Sequence, residues 1–422
     1  MSTTPSLFPP EPPQPGAVLL PGPDATPNRT ASQPPHGPEA TEVDRRVRPD
    51  GPPVTARVQR TKPAPTPTTE EAPEAFEPRG AADGKLVGIA RLAAVSPLAR
   101  EKRDTEYYLL PVRSILNRCD SPRMPFEWTI NPYRGCEFGC RYCYARYTHE
   151  FMELEPSEFS TKIFAKENAG RLMARDLKAH LAALTAGGGQ AEHIALGTAT
   201  DPYQPAERDF GVTRAILEQL GKREGLSLSI TTKSDQVVRD LDLLRRIHER
   251  STLTINLSII TTRPRLARLL EPRAPRPDLR FAAIRKLREA GLHAGVFAMP
   301  VLPGLTDREA DLDALARAAR DARAEWLVGG VLWLMPSSRA QFLPFIEARF
   351  PKLARGYRKW YSRNAYAPQH YREEIALRVS AIRARYGLGA RPSCSSTARP
   401  GPAPAPPQPT PAAQLSLALP AA

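Results

Sequence analysis

The chain of 422 residues has only five cysteines and no run of about 18 consecutive apolar residues. The missing run excludes a membrane-spanning helix of ordinary length, because crossing a bilayer core takes roughly 20 apolar residues. The N-terminus lacks the basic-then-apolar order of a secretory signal, so a cytoplasmic location with no membrane partner is expected. Few cysteines, three of them close together, suit a reducing compartment in which thiolates bind metal instead of forming disulfides. Apolar periodicity is absent from residues 1–84 and 390–422, which carry runs such as Pro34-Pro35 and Pro400-Gly-Pro-Ala-Pro-Ala-Pro-Pro407. Such segments bury too little surface to offset the entropy of ordering, and both are expected to be disordered tails.

A second cysteine pair is also lacking. Cys136, Cys140 and Cys143 stand in the spacing C-x3-C-x2-C, while Cys119 and Cys394 are isolated. A tetrahedral structural zinc wants four protein ligands, so it would have to recruit His149 or Cys119 here. A [4Fe-4S] cluster would take the three thiolates on three of its irons and keep the fourth iron free of protein. Gly135 and Gly139 let the backbone curl around such a group, and the rings of Phe138, Tyr142 and Tyr144 can shield it from water. The segment therefore reads as a loop wrapped around a bound group.

The residues around this motif resemble the radical S-adenosylmethionine (radical SAM) superfamily, and within it the spore photoproduct lyase-like branch. The resemblance rests on Ser114-Ile-Leu-Asn117, Asn131-Pro-Tyr-Arg-Gly-Cys136, Cys143-Tyr-Ala-Arg146, Lys166-Glu-Asn168, Thr200-Asp-Pro-Tyr-Gln-Pro205 and Glu271-Pro-Arg-Ala-Pro275, and covers roughly residues 112–350. It implies a [4Fe-4S] cluster on Cys136, Cys140 and Cys143, with S-adenosylmethionine bound to the open iron. It also implies an electron from a reductase such as flavodoxin or ferredoxin, and a 5′-deoxyadenosyl radical that takes a hydrogen atom. By position, Thr198, Thr200 and Asp201 resemble the segment that meets the cofactor's amino group. Lys233 and Ser258 resemble the positions that hold its carboxylate and ribose, and Tyr142 and Tyr144 would pack on its adenine or on the cluster. The resemblance is incomplete. The lyase pattern includes a further cysteine downstream that returns a hydrogen atom, and this chain has no cysteine between Cys143 and Cys394.

Strand and helix patterns alternate through the middle of the chain. Strands are expected at 126–131, 193–200, 226–232, 252–259, 294–300 and 326–334, with helices at 168–186, 213–223, 237–250, 279–290 and 309–322. This order implies a parallel sheet with helical crossovers, a partial (β/α)6 barrel of the TIM type. In such barrels the chemistry sits at the carboxyl ends of the strands, where the polar strings quoted above fall. The expected domain plan is an approach segment at 85–121, with strands near 87–92 and 107–112, a core at 122–350 and a helical extension at 351–389.

The balance of 59 Lys+Arg against 45 Asp+Glu gives a formal charge of +14, which allows DNA or RNA as a partner. Residues 349–372 hold seven Lys/Arg and no carboxylate, interleaved with aromatics. Arg355, Arg358, Lys359, Trp360, Tyr361 and Arg363 are therefore the candidate nucleic-acid contacts. The leading expectation is a radical SAM enzyme with a nucleic-acid-related substrate. The alternatives are a radical SAM enzyme on a peptide or small molecule, and a non-catalytic, zinc-stabilised nucleic-acid-binding protein.

Overall fold

The computed structural model describes residues 86–102, 104–121, 124–186 and 192–390. The tail expected at 1–84, the tail beyond residue 390 and Cys394 lie outside the described residues. Eleven strands are described: β1 (Leu98–Lys102), β2 (Thr105–Leu110), β3 (Leu116–Arg118), β4 (Trp128–Ile130), β5 (Tyr133–Arg134), β6 (Lys162–Lys166), β7 (His193–Leu196), β8 (Ser227–Thr232), β9 (Thr252–Ser258), β10 (His293–Val301) and β11 (Leu327–Val331).

Six of them, β4, β7, β8, β9, β10 and β11, lie side by side in that order and run parallel. Each is joined to the next through helical chain. An order that never reverses, combined with right-handed crossovers, puts every crossover on the same face and curls the sheet into part of a barrel. This is the expected (β/α)6 architecture. One level of the sheet reads Ile130, Leu196, Ile230, Ile255 and Ala294 as successive cross-strand partners, all buried. The register is fixed because a slip of one residue would move this whole apolar row to the other face.

The short strand β3 adds antiparallel to the outer side of β4. A separate four-stranded sheet runs β1-β2-β6-β5, and β5 leads straight into the cysteine loop. Of this second sheet the sequence reading anticipated only β2. It expected a strand at 87–92 as well, and there the chain forms the helix Gly88–Ala94. The spacing explains the difference: Ile89 and Leu92 stand three residues apart and pack on one small core with Tyr108, Leu110 and Phe164. The strand expected at 193–200 stops at Leu196, because Gly197 adopts φ +91 and turns the chain into the loop above the sheet.

After β11 come three helices, Pro336–Arg349, Pro351–Tyr361 and Gln369–Arg385. The last packs Val379 against Gly329 of β11, and beyond it Gly389 forms a parallel bridge to Trp326. Among the described residues no helix is long and apolar enough to cross a membrane.

Trp326 is fully buried and donates its indole N–H to Asn256 Oδ1 at 3.2 Å. Its ring occupies the space beside Gly295, where an added Cβ would lie 2.4 Å from the indole. Gly295→Ala should therefore overpack the barrel and lower the unfolding free energy by about 1–3 kcal/mol, seen as an earlier denaturation midpoint at unchanged slope.

Candidate active site

The carboxyl ends of five of the six parallel strands, β7 to β11, surround a cavity of about 390 Å³. The loop after β5 brings Cys136, Cys140 and Cys143 into its wall, together with Tyr142 and Tyr144. Thr198, Thr200 and Asp201 reach it from the end of β7, Lys233 from the end of β8, and Ser258 from the last position of β9. All ten residues singled out for the metal and cofactor thus line one space. Phe138, Phe159 and Phe297 supply apolar wall.

The loop is shaped by ties from neighbouring elements. Gly135 has φ +80, and a Cβ there would lie 2.6 Å from the Lys162 carbonyl oxygen, so only glycine fits. The Gly135 carbonyl accepts from Thr200 Oγ1 at 2.6 Å and from Gln204 Nε2 at 3.2 Å. Gln204 Oε1 in turn accepts from the Glu137 amide at 2.9 Å. Arg146 donates to the Cys140 carbonyl at 3.2 Å, and Ser338 Oγ to the Cys143 carbonyl at 2.6 Å. A buried loop needs this accounting, since each unpaired carbonyl would carry a desolvation penalty.

Several sequence candidates are already engaged. Asp201 Oδ1 accepts from Thr232 Oγ1 at 2.6 Å and from the Tyr203 amide at 3.0 Å, while Oδ2 accepts from the Lys233 amide at 2.7 Å. It therefore ties the end of β7 to the end of β8. Thr198 Oγ1 shares hydrogen bonds with Asn131, and the Tyr144 hydroxyl donates to the Thr198 carbonyl. These groups face the cavity while bracing its walls.

Below the loop lies a buried ionic network that the sequence reading did not assign. The Tyr142 hydroxyl donates to Glu271 Oε1, and Arg280 Nη2 donates to Glu271 Oε2 at 2.6 Å. Arg280 also donates to the carbonyls of Ser258 at 2.8 Å and Pro275 at 2.9 Å, and both ionic side chains are essentially inaccessible. The Lys233 ammonium stands 5.8 Å over the Tyr142 ring. Burial alone would raise the Glu271 carboxyl, but Arg280 and Lys233 outweigh it and hold its pKa below the usual value. Burial likewise works against the Lys233 charge, yet Cys140 and Glu271 keep its pKa above normal. Burial pushes the Cys140 thiol up to about 12, with Lys233 pulling the other way, and it also raises the Cys136 thiol well above its ordinary value. Glu271 belongs to a quoted string, and the arginine nine residues on is the signal that could have exposed the pair.

The donor set fits a polynuclear cluster. Among the described residues no three His, Cys, Asp or Glu side chains are placed to hold a single metal ion. Cluster ligands each bind a different iron and need not converge on one point, as zinc ligands must. Of the two recruits a zinc would need, His149 is buried with Nε2 on the Lys162 carbonyl, and Cys119 follows β3 with its amide bonded to the Glu127 carbonyl, at the amino end of β4.

The candidate nucleic-acid residues divide. Arg355, Arg358, Lys359 and Arg363 are exposed, with Arg358 paired to Glu347 at 2.7 Å. Trp360 packs on Tyr371, ring centres 4.7 Å apart. Tyr361 must be corrected: it is fully buried and donates to the Leu332 carbonyl at 3.1 Å, so it offers no stacking face. Leu353, Tyr357 and Tyr361 fall four residues apart and form the inward stripe of their helix.

Arg280→Met should strand Glu271 as a buried charge and lower the unfolding free energy at pH 7 by about 3–5 kcal/mol. A carboxyl whose pKa is depressed by folding contributes stability above its unfolded value of 4.5 and loses it as the pH falls. The gap between parent and variant should accordingly narrow in denaturant titrations below about pH 4.5.

A family profile described as the radical SAM superfamily matches residues 130–316. Uncharacterised proteins of Mycobacterium bovis and Mycobacterium tuberculosis are each 34% identical over 320 residues, covering 75% of this chain and 92% of theirs. Among solved structures, a spore photoproduct lyase mutant aligns with a TM-score of 0.51 at 20% identity, over 67% of this chain and 80% of that one. The same lyase complexed with dinucleoside spore photoproduct aligns at 0.50 and 18% identity, with the same coverage. At such identities the likeness is one of fold. Motif, barrel and relatives agree, and the chain belongs to the radical SAM superfamily.

Proposed function

We propose that this protein is a radical SAM enzyme that carries a [4Fe-4S] cluster on Cys136, Cys140 and Cys143 and acts on a nucleic-acid-related substrate. The observation that supports the reading best is the meeting of the three thiols with Lys233 and Ser258 in one cavity at the carboxyl end of the barrel. When bound, the cluster and S-adenosylmethionine supply reductive sulfonium cleavage and a 5′-deoxyadenosyl radical for hydrogen abstraction. The chain's own groups supply position and shielding. Lys233 presents a half-buried ammonium suited to the carboxylate of the cofactor, and Ser258 presents a hydroxyl suited to a ribose oxygen. Phe138, Phe159 and Phe297 exclude water from the wall, and Tyr142 is held against the loop by Glu271.

The substrate class is argued from the net charge of +14 and from the shared fold with a lyase whose structure contains a dinucleoside photoproduct. The reaction is lyase-like in this reading, with a hydrogen donor other than a downstream cysteine. Flavodoxin or ferredoxin would deliver the electron, in the cytoplasm. The zinc-stabilised binding module would need a fourth ligand beside the three thiols, and the match to the radical SAM superfamily favours the cluster instead.

Anaerobic purification with iron and sulfide analysis, followed by S-adenosylmethionine and dithionite, tests the reading. The parent should hold about four irons and four sulfides and release 5′-deoxyadenosine, and Cys140→Ala should release none. Zinc without sulfide in the parent would reject it.

A further inference from the structure

The mouth of the cavity carries a row of aromatic rings on the side where β11 ends. Tyr144 of the cysteine loop stands with its ring centre 5.5 Å from that of Trp333, and both line the cavity. Trp333 stands 6.1 Å from Tyr366, the two planes 25° apart, and an antiparallel bridge between these two residues fixes the pair. The Arg372 guanidinium lies 5.4 Å over the Tyr366 ring. The row thus runs outward from the cavity to the surface. Tyr144 is 38% exposed and Tyr366 41%, with Trp333 half-buried between them.

Partly exposed aromatic rings in a line at a cavity mouth mark a binding surface. The local charge says what kind. The stretches that carry the three rings, 141–149, 332–341 and 349–372, contain Arg141, Arg146, Arg339 and seven further Lys or Arg and no Asp or Glu, although Arg146 is buried on the Cys140 carbonyl, Arg358 is paired with Glu347, and Asp201 lines the cavity. Flat apolar faces with the exposed Arg363 and Arg372 nearby complement a chain of planar bases joined by phosphates. A reaction at a base also requires that base to leave its stack before it can enter a cavity in the protein.

We propose that Tyr144, Trp333 and Tyr366 form a stacking platform for the bases of single-stranded or locally unpaired nucleic acid, with Arg372 and the exposed Arg363 beside its phosphates. This rests on the nucleic-acid reading above and relocates the contact: the bases lie on the loop after the helix Pro351–Tyr361 and on the end of β11, not on that helix's own face. The platform holds the strand so that one base sits over the cavity, next to the cysteine loop.

The test is fluorescence anisotropy with the iron-loaded full chain and a labelled oligothymidylate at low and moderate salt. Trp333→Ala and Tyr366→Ala should each weaken binding about tenfold, while Trp333→Phe and Tyr366→Phe stay within about twofold of the parent. Iron content should be unchanged in all four, and Tyr366→Ala, whose ring stands outside the cavity wall, should keep the parent's affinity for S-adenosylmethionine. If the parent binds no oligonucleotide even at low salt, the nucleic-acid reading fails and takes the platform with it. If the parent binds, and both alanine variants bind equally well, the platform fails while the nucleic-acid reading stands.

Discussion

Glu271 is the carboxylate on which the architecture of the site depends. One oxygen accepts from Tyr142 inside the cysteine motif, and the other from Arg280, which also grips the carbonyl at the end of β9. A loop that gathers three thiols in a buried wall needs positive charge close by, because thiolates in a poorly solvated site are otherwise costly. Lys233 and Arg280 provide it. A buried and a half-buried cation without an anion beside them would repel each other, and Glu271 offsets that conflict while orienting the loop. Coulomb attraction and loop geometry are here one device.

The barrel was readable because its strands and helices obey their periods over long stretches. The helices Ala169–Ala186, Pro277–Glu289 and Glu309–Asp321 lie within two residues of the spans that apolar spacing suggests. The second sheet was harder: β5 has two residues, β6 is buried almost throughout and so shows no alternation, and β1 is almost wholly exposed. The cysteines announced themselves by spacing, whereas their supports did not. Gln204 meets Glu137 across 67 residues of chain, and Tyr142 meets Glu271 across 129. No local pattern encodes such pairings. Tyr361 was a different matter, since its place four residues after Tyr357 already marked it as inward-facing.

The cavity mouth joins distant parts of the sequence. Ser338, near the start of the helix that follows β11, donates to the carbonyl of Cys143, and Arg339 beside it donates to the Tyr361 carbonyl at 2.7 Å. The cysteine loop, the end of the barrel and the helical extension therefore share one short chain of hydrogen bonds. The helical extension is thereby tied to the cysteine loop, as well as covering the last strand.

An incomplete barrel leaves its sheet with two open margins, each a template for pairing with another chain. Here one margin is β3, only three residues long, with Asn117 and Arg118 exposed. The other is β11, over which the helix Gln369–Arg385 lies, while Gly389 occupies the bridging position beside Trp326. Neither margin thus presents a long adhesive edge, and the last described helix, Gln369–Arg385, is what covers the longer one.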